Sequence, residues 1–155
     1  AAIDWKNNLI DFPRPKNGIA RTIPLWPETV AALKAAIDER PESTNGLVFV
    51  TYFGRPWHRP GTDAVGQEFN KRLDLLHIKG RRGLGFGSLR HTFQTVADET
   101  LDFPSIKRVM GHTTKDISAR YRERRDGKRL VAVTGYVRAW ILAGKPKTKT
   151  TRKPK

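Results

Sequence analysis

Three short segments carry side chains suited to phosphate chemistry. In the run Ser88, Leu89, Arg90, His91, Thr92, a cap at Ser88 would put Arg90 in the first turn of a helix, among backbone N–H groups that lack partners. A guanidinium there can grip a phosphate with two hydrogen bonds, although a lone arginine serves as readily in a surface salt bridge. In Val109, Met110, Gly111, His112, the glycine stops a helix and lets His112 emerge at the turn. An imidazole held there can transfer a proton or touch a phosphate, or simply make a structural hydrogen bond. Tyr121 follows nine positions later, flanked by Arg120, Arg122, Arg124 and Arg125. A phenol is a poor nucleophile at its unperturbed pKa of ~10, but crowding by cations favours the phenolate, which can attack phosphorus. The same tyrosine would equally suit the half-buried face of an amphipathic helix.

The elements that must position these residues are legible from periodicity. Leu9 to Phe12 and Ala20 to Leu25 flank a Pro/Asn/Gly loop and predict an antiparallel hairpin. Pro27 fits the first turn of a helix with Val30, Leu33 and Ile37 inward. Leu47 to Val50 predicts a short strand. Thr62 is the expected cap of a helix carrying Val65, Phe69, Leu73 and Leu76 and closed by Gly80. The basic, glycine-rich stretch from Lys79 to Gly87 leads into the Arg90 helix, where Leu89, Phe93, Val96 and Ala97 recur at helical spacing. Pro104 opens a short helix burying Ile106, Val109 and Met110. Thr114 starts another with Ile117 and Tyr121 on one face, and the last runs from Asp126 to Gly144 with Leu130, Val133, Val137 and Ile141 inward. The expected fold is mainly α (α+β), with a small antiparallel sheet near the N-terminus. One domain over residues 1–144 is followed by a disordered basic tail, 145–155.

Composition narrows the partner. The 155 residues include 30 Lys and Arg against 15 Asp and Glu, a net charge of +15, and a field of that sign attracts polyanions, nucleic acid foremost. Cysteine is absent, which removes disulfides, Cys-ligated zinc and thiol catalysis. No run reaches the ~20 apolar residues of a membrane span. His58, His77 and His91 lack the spacing and carboxylates of a metal site, and the glycines at 83, 85 and 87 follow no strand, so a nucleotide loop is not expected.

Leu-Arg-His-Thr at 89–92, Met-Gly-His at 110–112 and a tyrosine nine residues on, in that order, resemble the tyrosine recombinase family, which includes phage integrases. The stretch from Pro15 to Leu25 looks like the family's β-hairpin, with Lys16 before Gly18 and an Arg-x-x-Pro-Leu ending at Arg21, Pro24 and Leu25. The likeness covers Ile3 to about Gly144. It implies a helical catalytic domain that recombines or integrates DNA at specific sites, as mobile elements do, by cutting and rejoining phosphodiesters. Tyr121 would be the nucleophile that forms a 3′-phosphotyrosyl intermediate. Arg90 would neutralise the non-bridging oxygens, Lys16 would protonate the departing 5′-oxygen, and His112 would hydrogen-bond the same phosphate. The resemblance further implies double-stranded DNA and other recombinase protomers as partners, no cofactor, no metal, no membrane and no small-molecule substrate. It implies a bacterial or phage-encoded protein acting at the nucleoid in the cytoplasm. Arg14, Arg59, Arg81, Arg82, Arg120 and Arg122 are candidates for contacts to the DNA backbone.

Two departures from the family pattern stand out. Three residues before the arginine the family carries a His, Lys or Tyr, whereas this chain has Gly87. The family's first catalytic arginine belongs upstream of the Ile3 region, so the sequence is expected to be a fragment beginning just after it, weakly active or inactive by itself. A non-catalytic DNA-binding module derived from a recombinase is therefore the alternative, and a ribosomal-type RNA binder, favoured by charge alone, gives no reason for the ordered motifs.

Overall fold

The computed structural model describes residues 2–15, 18–42, 46–57, 60–78, 84–112 and 127–144. Strands β1 (Ile3–Asp4), β2 (Leu9–Asp11) and β3 (Thr22–Pro24) form an antiparallel sheet in the order β1-β2-β3. Among the described residues five helices follow: α1 (Pro27–Glu39), α2 (Ala64–Leu75), α3 (Gly87–Asp98), α4 (Phe103–Met110) and α5 (Gly127–Ala143). The fold is mainly α with a small antiparallel sheet, as the periodicity predicts.

The hairpin pairs Leu9 with Pro24, Ile10 with Ile23 and Asp11 with Thr22. Its ladder runs on past the strands, since Phe12 N–H donates to Arg21 O (3.1 Å) and Arg14 N–H to Ile19 O (2.8 Å). Side chains on a strand alternate between faces, so this register sets Arg14 and Arg21 on the same face of the hairpin. β1 goes beyond the sequence reading; two residues are too few to show alternation.

Helices α3, α4 and α5 pack against one another, and β3 lies against α4 and α5. The core they share is Val96 and Ala97 from α3, Ile106 and Met110 from α4, and Val133 and Val137 from α5, with Trp26, Phe93 and Trp140 packed around it. Trp26 also donates its indole N–H to Thr134 O (3.0 Å), which satisfies the one polar atom of a large apolar side chain. α1 is tied to α5 by the paired hydrogen bonds of Arg138 with Glu28.

Several boundaries differ from expectation for identifiable reasons. Asp63 rather than Thr62 caps α2, its carboxylate accepting from Gly66 N–H (3.0 Å); aspartate is the stronger cap. α2 stops at Leu75, ahead of His77 with φ 53°, so Leu76 is exposed and Gly80 lies outside the described residues. Residues 47–50 form no strand: Val50 makes a single bridge to Pro56, and Leu47 and Phe49 are exposed, since no strand among the described residues offers them a ladder. Val30, Leu33 and Ile37 are half-buried on α1, and α1 contributes no fully buried residue. Leu89 is exposed on α3. On α5, Leu130, Val133 and Val137 are buried as predicted, but Ile141 is 49% exposed, since the helix runs past its neighbours and Trp140 makes the last core contact. The expected helix at Thr114 and the basic tail lie outside the described residues.

Candidate functional site

The site is built around the carboxyl end of α4. Asp102 caps the other end, accepting from Ser105 N–H (3.2 Å), and Pro104 sits in the first turn. The helix closes at Gly111, whose φ of 63° is left-handed. Gly111 N–H donates to Arg108 O (3.3 Å) and His112 N–H to Lys107 O (2.9 Å). This is the paired closure that glycine permits at little conformational cost. It aims His112 away from the helix, as the Met-Gly-His motif predicts.

Closure still leaves carbonyls at the negative end of the helix dipole, and arginines occupy them. Arg90 Nη2 donates to Met110 O (2.8 Å), and Arg14 Nη1 donates to Gly111 O at a long 3.4 Å. Arg90 Nη2 also lies 2.8 Å from His112 Nε2. A guanidinium has no lone pair to offer, so Nε2 must accept and the ring carries its proton on Nδ1. His112 is thereby held neutral. Burial lowers its pKa from the usual 6.5, and Arg90, Arg14 and Lys107 lower it further by repulsion. Arg90 is likewise held below its ordinary value, by burial first and then by Arg14 and Arg21.

The expected cap at Ser88 is not formed. α3 begins at Gly87 with Phe86 at the cap position, and Ser88 Oγ donates to Gly85 O (2.6 Å). Arg90 therefore lies a turn into α3 and reaches across to α4, instead of serving the amino end of its own helix. Glycine at 87 leaves open space: a Cβ there would meet nothing within 4 Å.

The structure thus brings Arg90, His112 and Arg14 to one place. Lys16, Tyr121, Arg59, Arg81, Arg82, Arg120 and Arg122 lie outside the described residues. Sequence reasoning missed Arg21, whose Cδ lies 3.4 Å from where a Gly111 Cβ would stand, beside Arg14 Cβ at 3.4 Å. The hairpin register could have found it, because Arg14 and Arg21 share a face. Among the described residues the ion pairs are Lys71 and Arg72 with Glu68, Arg129 with Asp102, and Arg138 with Glu28. None brings a carboxylate to this cluster. Cations to which no described residue brings a counter-charge are suited to holding an anion.

The neutral His112 has a consequence for stability. Its folded-state pKa lies below the unfolded value near 6.5, so below that pH the unfolded chain takes up a proton that the folded site resists. Stability is expected to fall as the pH drops through 6.5 toward the folded-state pKa. Melting temperatures measured from pH 7.5 to 5.5 should decline less in His112→Gln, whose amide oxygen can accept from Arg90 without titrating. An equal decline in both proteins would contradict the assignment.

Among the described residues no group of three metal-ligating side chains could hold an ion, and no helix is long and apolar enough to cross a membrane. The model of the phage integrase family matches residues 1–128. No curated protein and no solved structure matches the chain.

Proposed function

The chain belongs to the phage integrase family, which places it among the tyrosine recombinases and in site-specific recombination, and on that premise we propose that it cuts and rejoins duplex DNA through a 3′-phosphotyrosyl intermediate. The observation that carries the proposal is the convergence of Arg90 and His112, which are 22 residues apart in sequence and 2.8 Å apart in the fold, within a cluster of arginines to which no described residue brings a carboxylate.

In this reading a DNA phosphodiester displaces the direct Arg90–His112 contact. Arg90 donates to the non-bridging oxygens, and His112, taking up a proton from solvent, donates to the same phosphate. Tyr121 gives its phenol proton to solvent water and its oxygen attacks phosphorus as the bond to the 5′-oxygen breaks; Lys16 gives that oxygen its proton and recovers one from solvent. The product is a 3′-phosphotyrosyl ester and a free 5′-hydroxyl. A 5′-hydroxyl from a second strand, bound by another protomer, reverses the step and exchanges the strands. Fixed cations lower the barrier by stabilising charge that develops on phosphorus. The phosphoester bond conserves the energy of the broken one, so the exchange calls for no nucleotide hydrolysis.

Gly87 supplies no side chain to take the phenol proton, and this favours a second reading, a recombinase-derived module that binds DNA without cutting it. One experiment separates the two. Incubation with a duplex nicked beside the cleavage position, so that the released strand diffuses away, should trap a covalent protein–DNA adduct. The adduct should be absent in Tyr121→Phe. Salt-sensitive DNA binding with no adduct from the wild-type protein would establish the binding module instead.

A further inference from the structure

Arg21 does something that the reading above leaves unassigned. Its Nε is buried and has no hydrogen-bond partner among the described residues, although a buried donor left unpaired is costly and calls for an explanation. Its aliphatic stem packs on the Gly111 turn next to that of Arg14. Its charge, with that of Arg14, acts on Arg90. The neighbouring Arg108 is already engaged, donating through Nη2 to Thr22 Oγ1 (3.3 Å). Three guanidiniums therefore meet at the end of α4. Two of them rest on backbone carbonyls, and the third carries a buried Nε–H that no described residue accepts.

We infer that Arg21 is a further phosphate-binding residue, which with Arg14 and Arg90 forms a three-guanidinium seat for one phosphoryl group. The inference deepens the recombinase reading and rests on it for the identity of the ligand, a phosphodiester of DNA. Repulsion among the three cations is unfavourable while the seat is empty and is relieved when an anion enters. The hairpin supplies two of the three, so its register sets how Arg14 and Arg21 stand to each other. A bidentate guanidinium is required at position 21, because its Nε and one Nη can grip two oxygens together. Lysine, a point charge, keeps the field and loses the fork.

The test uses the full chain and two probes, inorganic phosphate and a short DNA duplex, with chloride matching the ionic strength. Arginine Nε–H resonances report each side chain separately. Phosphate should shift the Arg21 and Arg90 signals together with one Kd. Arg21→Gln should weaken phosphate binding about ten- to a hundredfold, the worth of a hydrogen bond to a charged group. Arg21→Lys should recover only part of that loss, and Arg138→Gln, whose parent side chain pairs with Glu28, should change nothing. Melting curves of each variant establish that it folds. If Arg21→Gln fails to fold, the wild-type resonances decide: an Arg21 signal that stays still while Arg90 moves overturns the seat. Unchanged phosphate affinity in a folded Arg21→Gln also overturns it. Phosphate binding that depends on Arg21, without a DNA adduct, would refute the recombinase reading and leave the seat standing. An adduct with an indifferent Arg21 would do the reverse.

Discussion

Replacing Arg90 by alanine is expected to reduce the rate of covalent adduct formation by roughly 10²–10³-fold, the usual effect of removing one donor from a preorganised anion site. Two features push the loss toward the upper end. Arg90 is the charge that α3 contributes, and its Nη2 also positions His112. Removing it both strips the phosphate of a partner and frees the imidazole to turn. The losses in Arg90→Ala and His112→Ala should consequently fail to add, the double variant being little slower than Arg90→Ala alone. Single-turnover rates on nicked DNA measure this, and melting curves show that the fold persists. A less than tenfold loss in Arg90→Ala, or fully additive losses in the double variant, would mean that the two side chains do not act on one phosphate.

The second large effect is on stability. Ile106 is 1% exposed and sits where α4 meets α3 and α5, among Val96, Ala97, Val133 and Val137. Ile106→Ala removes buried methylenes and leaves a void, for a cost of about 2–5 kcal/mol. In a domain of this size that corresponds to a fall in Tm of roughly 4–20 °C. The functional cost should exceed what unfolding explains. The Arg90 bond to Met110 O spans the α3–α4 contact, and a helix that settles into the void shifts that carbonyl. Adduct formation well below the new Tm should therefore be slower than wild type, whereas Ile106→Val should restore most of both properties. A Tm within 2 °C of wild type in Ile106→Ala, read by calorimetry, would contradict the packing described here.

Residues whose function follows from local chemistry were the legible ones. Gly111 had to end a helix because nothing else in the run tolerates a left-handed φ as easily, and it does. Leu130, Val133 and Val137 announced an inward stripe by spacing alone, and they are buried. Motif order suggests a phosphate-binding role for Arg90 and His112, but nothing local shows that they touch. That contact depends on α3 crossing the end of α4, a tertiary event. The same limit explains the errors. Ser88 looks like a cap, yet its hydroxyl finds the Gly85 carbonyl instead, and the cap position falls two residues earlier, at Phe86. Ile141 continues the periodicity of α5 beyond the point where any neighbour remains to cover it. Arg21 was passed over because its importance lies in pairing register, which sets it beside Arg14 at the Gly111 turn.

The central claim is that four side chains distant in sequence, Lys16, Arg90, His112 and Tyr121, serve a single phosphorus atom. Its most direct test is to digest the trapped protein–DNA adduct with nuclease and protease and to locate the nucleotide remnant by mass spectrometry. The account predicts a remnant joined through its 3′-phosphate to the Tyr121 oxygen, in a yield that collapses when Arg90 or His112 is replaced. A remnant on any other residue, or one joined through a 5′-phosphate, would contradict it.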